Sequence, residues 1–519
     1  AGALAFGWSG SLRPIAGVTP AAEMLALPAT RPATDWREAA LGTGGGVDEL
    51  AGLVPVGVDR ELARDLETDT AAVPAPDGGA PAARGDWPDA AGMWRRLATD
   101  LAGAQPGFDP NATGWLLHPM GAAGAGTAVR SGALVPGGAC AVPLVTGDAS
   151  LGAIGTVTWV DGDRVLMMGH PFMQRGPVNL PLATAEIQTI LPSREMSFKM
   201  GSVGALVGAV HHDQRAGLAG RLGPVPALIP VRVQVGGAGG AVHEFAVADD
   251  PLLTPTLVFW AVYNSLLVAG DDASLQNLAY TVRTTWEGEA GLAARPLELR
   301  GVTAGPGGAA GVAREIMGPL TALLNNAHAP LRLTAVEATW EVRRPLRTAR
   351  VSGLAGPRTV ARAGDEVTFA VELDVRDGGP DVEEFHVVLP RHLAPGPYRV
   401  VAASAADLFG LEAQRAPGRF QPTNLPGMIE LLRTERSGDV LALAILAPGT
   451  SLVVEGRELA NLPESIAETV QAGNLGVQRS LADYVLRMDR RLEHLVVGHA
   501  VRHLEIKATP APVGEERRP

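Results

Sequence analysis

The sequence predicts a mainly β protein with some α, divided into several domains; three observations carry the division into turn-rich folded domains, and the runs taken in order below carry the β character. The chain has 519 residues, enough for about three to five domains of ~100–200 residues each. Its 64 glycines and 41 prolines make up about a fifth of the chain, against ~12% in average usage. Yet 46% of the residues are hydrophobic, too many for a disordered chain. Turn-rich folded domains joined by Ala/Gly/Pro segments follow.

Residues 3–6 read as a short strand, followed by a turn around Gly10 and Pro14 and a small helix. Thr19 is placed to cap that helix, with Pro20 in its first position and Glu23 near its positive end. Residues 1–27 are expected to add a strand to the main core. The stretch 28–139 loosens into an Ala/Gly/Pro-rich linker with helical patches at 59–68 and 89–103. Between 140 and 300 the signal sharpens into a principal core. Ile154-Gly155-Thr156-Val157-Thr158-Trp159-Val160 is a β-branched run, Asp161-Gly162-Asp163 a turn, and Arg164-Val165-Leu166-Met167-Met168 the return strand of a hairpin. Further strands fall at 203–210 and 228–235. The apolar run 254–269 reads as a buried helix; it contains Asn264 and Ser265 and is shorter than the ~18 residues a membrane span requires. Residues 301–345 form a connecting segment. A small β-sandwich follows at 346–410, where Glu366-Val367-Thr368-Phe369-Ala370-Val371-Glu372-Leu373 alternates between two faces. The region 411–519 is α+β, with helices near 426–435 and 463–472 and a last strand near 495–507.

Composition removes several function classes. Lys and Arg total 43 against 55 Asp and Glu, a net charge of −12, which argues against nucleic-acid binding. Lysine occurs only at Lys199 and Lys507, and no GxxxxGK[ST] phosphate loop is present. The single cysteine, Cys140, excludes an intramolecular disulfide and a multi-thiolate zinc site, and no neighbouring cation activates it. No metal or cofactor is expected. His211 and His212 are adjacent and would point to opposite faces of a strand, while His494, His499 and His503 lie in strand-like context with no carboxylate to complete a metal set. Gly121-Ala122-Ala123-Gly124-Ala125-Gly126 imitates a dinucleotide loop without a strong preceding strand signal, in an Ala/Gly-rich region that reads as a flexible loop.

One segment stands out for chemistry. Met168-Gly169-His170-Pro171-Phe172 places a histidine at the end of the predicted hairpin, beside a Gly/Pro turn. Imidazole suits general-base work near neutral pH, since its unperturbed pKa is ~6.5. Gly155-Thr156-Val157-Thr158-Trp159-Val160-Asp161 followed by Gly169-His170 resembles the peptidase domain of stage IV sporulation protein B, a family of serine peptidases with chymotrypsin-like character. The resemblance continues through Val207-Gly208-Ala209-Val210 and Ala216-Gly217-Leu218-Ala219-Gly220-Arg221-Leu222-Gly223. It is closer still to longer exported bacterial relatives carrying Gly-His-Pro-Phe, with counterparts at 180–199 and in Asp250-Pro251-Leu252-Leu253-Thr254-Pro255.

The resemblance implies a chymotrypsin-like, permuted β-barrel core and makes His170 the catalytic base, supported by its turn neighbours Gly169 and Pro171. The family's nucleophile stands in Gly-Met-Ser-Gly-Ser-Pro, a motif absent from these 519 residues. In the longer relatives it precedes a strand similar to Gly2-Ala3-Leu4-Ala5-Phe6-Gly7-Trp8, so the serine is expected upstream of Ala1 and the chain alone is expected to be inactive. Ser9 and Ser11 lack the following proline and match the segment after the motif. Ser197 and Lys199 would share a strand face as a Ser–Lys dyad, but read better as a core-edge serine with a snorkelling lysine.

Among acids that could orient His170, Asp148, Asp161 and Asp163 are near in sequence, although Asp161 and Asp163 suit the hairpin turn at its far end. Asp213 is a weaker alternative. The leading expectation is therefore an exported, periplasmic or cell-envelope serine-endopeptidase-like protein acting on a protein or peptide. The alternative is a non-catalytic envelope or protein-interaction module on the same fold.

Overall fold

The computed structural model describes residues 2–8, 15–28, 115–118, 133–191, 198–237, 239–269, 277–288, 296–304, 308–342, 347–356, 360–376, 378–434, 436–447, 451–454, 457–459, 462–473, 477–480 and 483–507. They are mainly strands, arranged in curled sheets with a few helices.

The N-terminal strands β1 (Gly2–Trp8) and β2 (Ile15–Pro20) pair antiparallel and lead into the short helix α1 (Ala21–Leu25). They form a two-stranded sheet of their own, so this segment does not add a strand to the main core. Its attachment is by α1: Met24 and Leu27 are buried with Leu166 and Ala219. Arg164 Nη2 also donates to the carbonyls of Leu25 (3.1 Å) and Leu27 (2.5 Å). These bonds satisfy carbonyl groups that a helix end leaves open.

The principal core begins with β3 (Trp115–His118), which lies inside the expected linker and pairs with β5 (Ser150–Asp161). Residues 29–114 and 119–132, with their expected helical patches and glycine loop, fall outside the described residues. With β4 (Ala139–Gly147), β6 (Arg164–Met167), β7 (Gly176–Leu191), β8 (Phe198–Gln214) and β9 (Gly217–Leu222), β5 closes a ring. The pairing order is β4–β7–β8–β9–β6–β5, and β5 returns to β4. Closure leaves no free edge among these six strands and encloses an apolar interior, where Val142, Val165, Met167, Leu180, Val210 and Leu218 are fully covered. The β5–β6 hairpin has the register expected from Asp161-Gly162-Asp163, with Asp161 opposite Arg164 and Gly162 at positive φ.

The first half of β4 pairs with β7, and its end pairs with β11 (Ala241–Ala248). The ring thereby continues into an open wing of β11, β10 (Leu228–Val235), β14 (Arg332–Val342), β12 (Asn277–Glu287) and β13 (Leu297–Ala304). Residues 301–345 are thus not a mere connection, because β14 sits between β10 and β12. Helices α2 (Thr254–Ala269) and α3 (Gly308–Leu324) contribute to the core shared by ring and wing. In α2 the apolar residues Leu257, Val258, Trp260, Ala261, Val262 and Leu266 are all buried. Of its buried polar side chains, Asn264 and Ser265 bond back to carbonyls one turn earlier, those of Trp260 and Ala261.

The C-terminal part holds two sheets around one core. The first orders β18 (Gly379–Val388), β17 (Glu366–Val375), β15 (Arg347–Ala355) and β25 (His494–Val497). The second orders β16 (Val360–Arg362), β26 (His499–Lys507), β19 (Gly396–Ser404), β20 (Val440–Ala447) and β24 (Asp483–Arg491), and a small separate sheet orders β22 (Arg457–Leu459), β21 (Leu452–Val454) and β23 (Gln478–Arg479). Phe369, Val371, Phe385 and Val387 from one sheet meet Val400, Leu443, Ile445 and Leu504 from the other. Because β19 pairs with both β20 and β26, strands on either side of residue 410 share a sheet.

Beside this core, helix α4 (Ala405–Arg415) carries a buried ion network. Arg415 is fully covered and forks to Glu412 and Glu458, while Arg419 bonds Glu412 and Ser451 bonds Glu458. Truncating one member of a buried network leaves an uncompensated charge, so Arg415→Ala is expected to cost about 3–5 kcal/mol. Thermal unfolding followed by near-UV circular dichroism measures it; a variant melting with the parent would show the network to be dispensable. Arg415 and Ser451 hold Glu458 below its ordinary value of 4.5 despite burial. A depressed carboxylate pKa stabilises the fold above the unfolded value and loses that contribution as pH falls through the folded one. Urea midpoints are therefore expected to decline from about pH 5 downward, and less steeply in Glu458→Gln.

Candidate functional site

The chain leaves the ring at the end of β6 and re-enters it at β7, with β9 and β8 between them in the sheet. The connection, residues 168–175, therefore runs across the ends of two strands and cannot join their ladder. It begins with a tight turn in which Gly169 N donates to Met167 O at 3.0 Å and Met168 stands at φ 70°. The hydrogen bond and φ together match the rare γ-turn with a positive central φ. Among the described residues the non-glycine positions at positive φ are Met168 and Gln174, and both lie in this loop. Such backbone costs on the order of 1–3 kcal/mol per residue and persists only where the surroundings enforce it.

Four contacts enforce it. Asp213, fully buried at the end of β8, accepts the amide of Phe172 on Oδ1 at 2.8 Å. Its Oδ2 accepts Met173 at 2.6 Å and Arg175 at 3.5 Å. Burial pushes the Asp213 carboxyl above its ordinary value, and the three amides and the Arg175 charge oppose that rise. Arg175 in turn forms a buried ion pair with Asp250 at 2.5 Å. Asp250 Oδ1 accepts the amides of Leu252 and Leu253, and its own amide donates to Thr254 Oγ1, which fixes the turn into α2.

The third contact comes from 150 residues away: Thr19 Oγ1 donates to the Gly169 carbonyl. Thr19 is thus not a helix cap. The helix starts one residue later than expected, Pro20 is its N-cap, and the Thr19 hydroxyl serves the loop. The fourth is steric. Gly217 (φ 140°) lies under the turn, where a Cβ would come within 2.9 Å of Met167 O and 3.2 Å of Gly169 N. Gly155 likewise leaves room for Met168, whose Cγ would stand 2.6 Å from an added Cβ. The sequence motifs around Gly155 and Gly169 thereby meet in space.

His170 itself is half-buried, and its Nδ1 lies 2.9 Å from the carbonyl of Pro171. A carbonyl can only accept, so Nδ1 must donate and Nε2 keeps the lone pair of the neutral ring. That is the tautomer a general base requires, oriented here by a backbone carbonyl and not by an acid.

None of the sequence-nominated acids touches the ring. Asp163 pairs with Arg221 at 3.0 Å at the opposite end of β6, and Asp148 accepts the amide of Glu244. Asp213 reaches the loop but bonds its backbone. Ser9, Ser11 and Ser197 lie outside the described residues, as does the side chain of Lys199, whose backbone is in β8. His211 lines a separate cavity of about 560 Å³ with Asp163, Asn179, Arg221 and Arg332. Among the described residues no group of three or more His, Cys, Asp or Glu could hold a metal ion. The roles of Thr19 and Asp250 were not foreseen, although Asp-Pro-Leu-Leu-Thr carries the signature of a capped helix start.

The geometry makes one spectroscopic prediction. With ¹⁵N-labelled histidine, and His170→Gln to identify the signal, neutral His170 is expected to carry its proton on Nδ1; a dominant Nε2–H form would refute the Pro171 contact. A scan against protein-family models and searches of curated proteins and solved structures found no match to this chain.

Proposed function

We propose that this chain carries the general-base part of a serine-endopeptidase centre similar to that of stage IV sporulation protein B, in an exported protein, on a permuted chymotrypsin-like barrel. The observation that supports it most is the presentation of His170: a strained loop at one end of a closed six-stranded ring, Nδ1 held by the Pro171 carbonyl, Nε2 left as base. The Thr19–Gly169 bond adds support, since it joins the N-terminal hairpin to the loop bearing the histidine.

In the proposed reaction His170 Nε2 takes the proton of a serine hydroxyl as its oxygen bonds to the scissile carbonyl carbon. The imidazolium then gives that proton to the departing amine as the C–N bond breaks. Water repeats the sequence on the acyl-enzyme, releasing the acid and restoring the serine. The glycine-rich turn bearing the serine would stabilise the oxyanion through its backbone N–H groups. By resemblance, that turn is the Gly-Met-Ser-Gly-Ser-Pro segment, which these 519 residues do not contain.

Three chains test the reading: the 519 residues, the same chain with this segment joined ahead of Ala1, and the joined chain with His170→Ala. Casein hydrolysis and self-cleavage are expected from the second alone. Members of such a unit are not additive, so His170→Ala is expected to remove about 10³-fold or more of that activity. Equal behaviour of all three chains would end the peptidase reading and leave the non-catalytic envelope module in its place.

A further inference from the structure

The carbonyl that receives His170 Nδ1–H and the amide that Asp213 receives belong to one peptide group. Pro171 contributes the C=O, at 2.9 Å from Nδ1, and Phe172 contributes the N–H, at 2.8 Å from Asp213 Oδ1. A peptide unit is planar and stiff, so fixing one of its polar ends fixes the other. Consecutive hydrogen bonds also polarise one another, and an acceptor on the N–H makes the C=O a better acceptor in turn.

We propose that Asp213 is the positioning residue for His170 and acts on the imidazole through the Pro171–Phe172 peptide. The order carboxyl, peptide, imidazole replaces a direct carboxyl–imidazole contact with one that has a backbone group inserted. Asp213 has the form this role requires. It is fully buried, and its contacts from the loop are amide donors at Phe172, Met173 and Arg175, which an acceptor-only side chain satisfies. The Arg175 guanidinium, the nearest cation on the same loop, is turned to Asp250. An asparagine in place of Asp213 would set an NH₂ donor against one of these amides.

That His170 is a base rests on the function proposed above, whereas its positioning does not, and the measurements separate the two. In Asp213→Asn the preference for the Nδ1–H tautomer is expected to fall by about tenfold, with faster modification of His170 by diethyl pyrocarbonate. Amide exchange in 168–175 is expected to rise by a similar factor, while exchange in α2 and β17 stays at parental rates. Arg175→Met, which keeps the Asp213 carboxyl, is expected to loosen the loop but leave the tautomer at Nδ1–H. A folded Asp213→Asn protein with the parental tautomer would overturn the inference, since a purely structural role would raise exchange alone.

If Asp213→Asn does not fold, the parent protein decides by its own exchange. Phe172 and Met173 amides are expected to be protected about 100-fold more than that of Gln174; protection within a few-fold of Gln174 would overturn the inference equally. In the chain with the nucleophile segment joined, Asp213→Asn is expected to lower kcat with little change in KM. Absence of activity there would count against the peptidase reading, with the tautomer and exchange results standing apart from it.

Discussion

A chain that leaves one strand of a closed sheet and re-enters at another with two strands between them must carry its backbone across strand ends without a ladder to pair with. Here the crossing lies against buried groups, where an unpaired amide is costly. The Asp213 carboxyl supplies the acceptors that a strand would otherwise provide, and it takes three amides of the crossing. The rest of the site depends on that substitution. Positive φ at Met168 and Gln174 is tolerable because both ends of the crossing are held, and His170 projects where it does because the residues after it are held.

The same loop is the meeting point of otherwise separate parts. Thr19 brings the N-terminal hairpin to Gly169, and Arg175 brings the helical layer through Asp250. β4 adds a further tie, since it leaves the ring at Val145 to pair with β11, the strand that leads to Asp250. Motion of α2 relative to the ring would be felt at Arg175, and displacement of α1 would be felt at Gly169. A histidine supported in this way is a consequence of assembled tertiary structure more than of its own segment.

That division explains what could be read from the sequence. The β5–β6 hairpin was legible because a β-branched run, an Asp-Gly turn and a return run are all local signals; β10, β17 and α2 were legible for the same kind of reason. His170 was legible as a loop histidine after a strand. Asp213 was only a weaker nominee and the role of Thr19 was not legible, since their partners are about 40 and 150 residues away and neither spacing leaves a periodic trace. Thr19 was also misleading, because a threonine before Pro-Ala-Ala-Glu has the local chemistry of a cap, and a tertiary acceptor took its hydroxyl instead. β14 and the β19–β20–β26 ladder failed similarly: strand character is local, but the neighbour that makes a strand central is not.

Two buried carboxyls show how partners, and not burial alone, decide the electrostatics. Asp213 is surrounded chiefly by neutral amides, and desolvation prevails, raising its pKa. Glu458 is also desolvated, yet Arg415, Arg419 and Ser451 more than offset that cost and its pKa falls. Amide dipoles are pre-placed and carry no net charge, so they orient a carboxyl without binding it as strongly as a guanidinium does. For a group that must hold a loop in one shape beside an imidazole, this is a useful distinction. Three amides hold the loop with no added charge, and the Arg175 cation is paired with Asp250 instead.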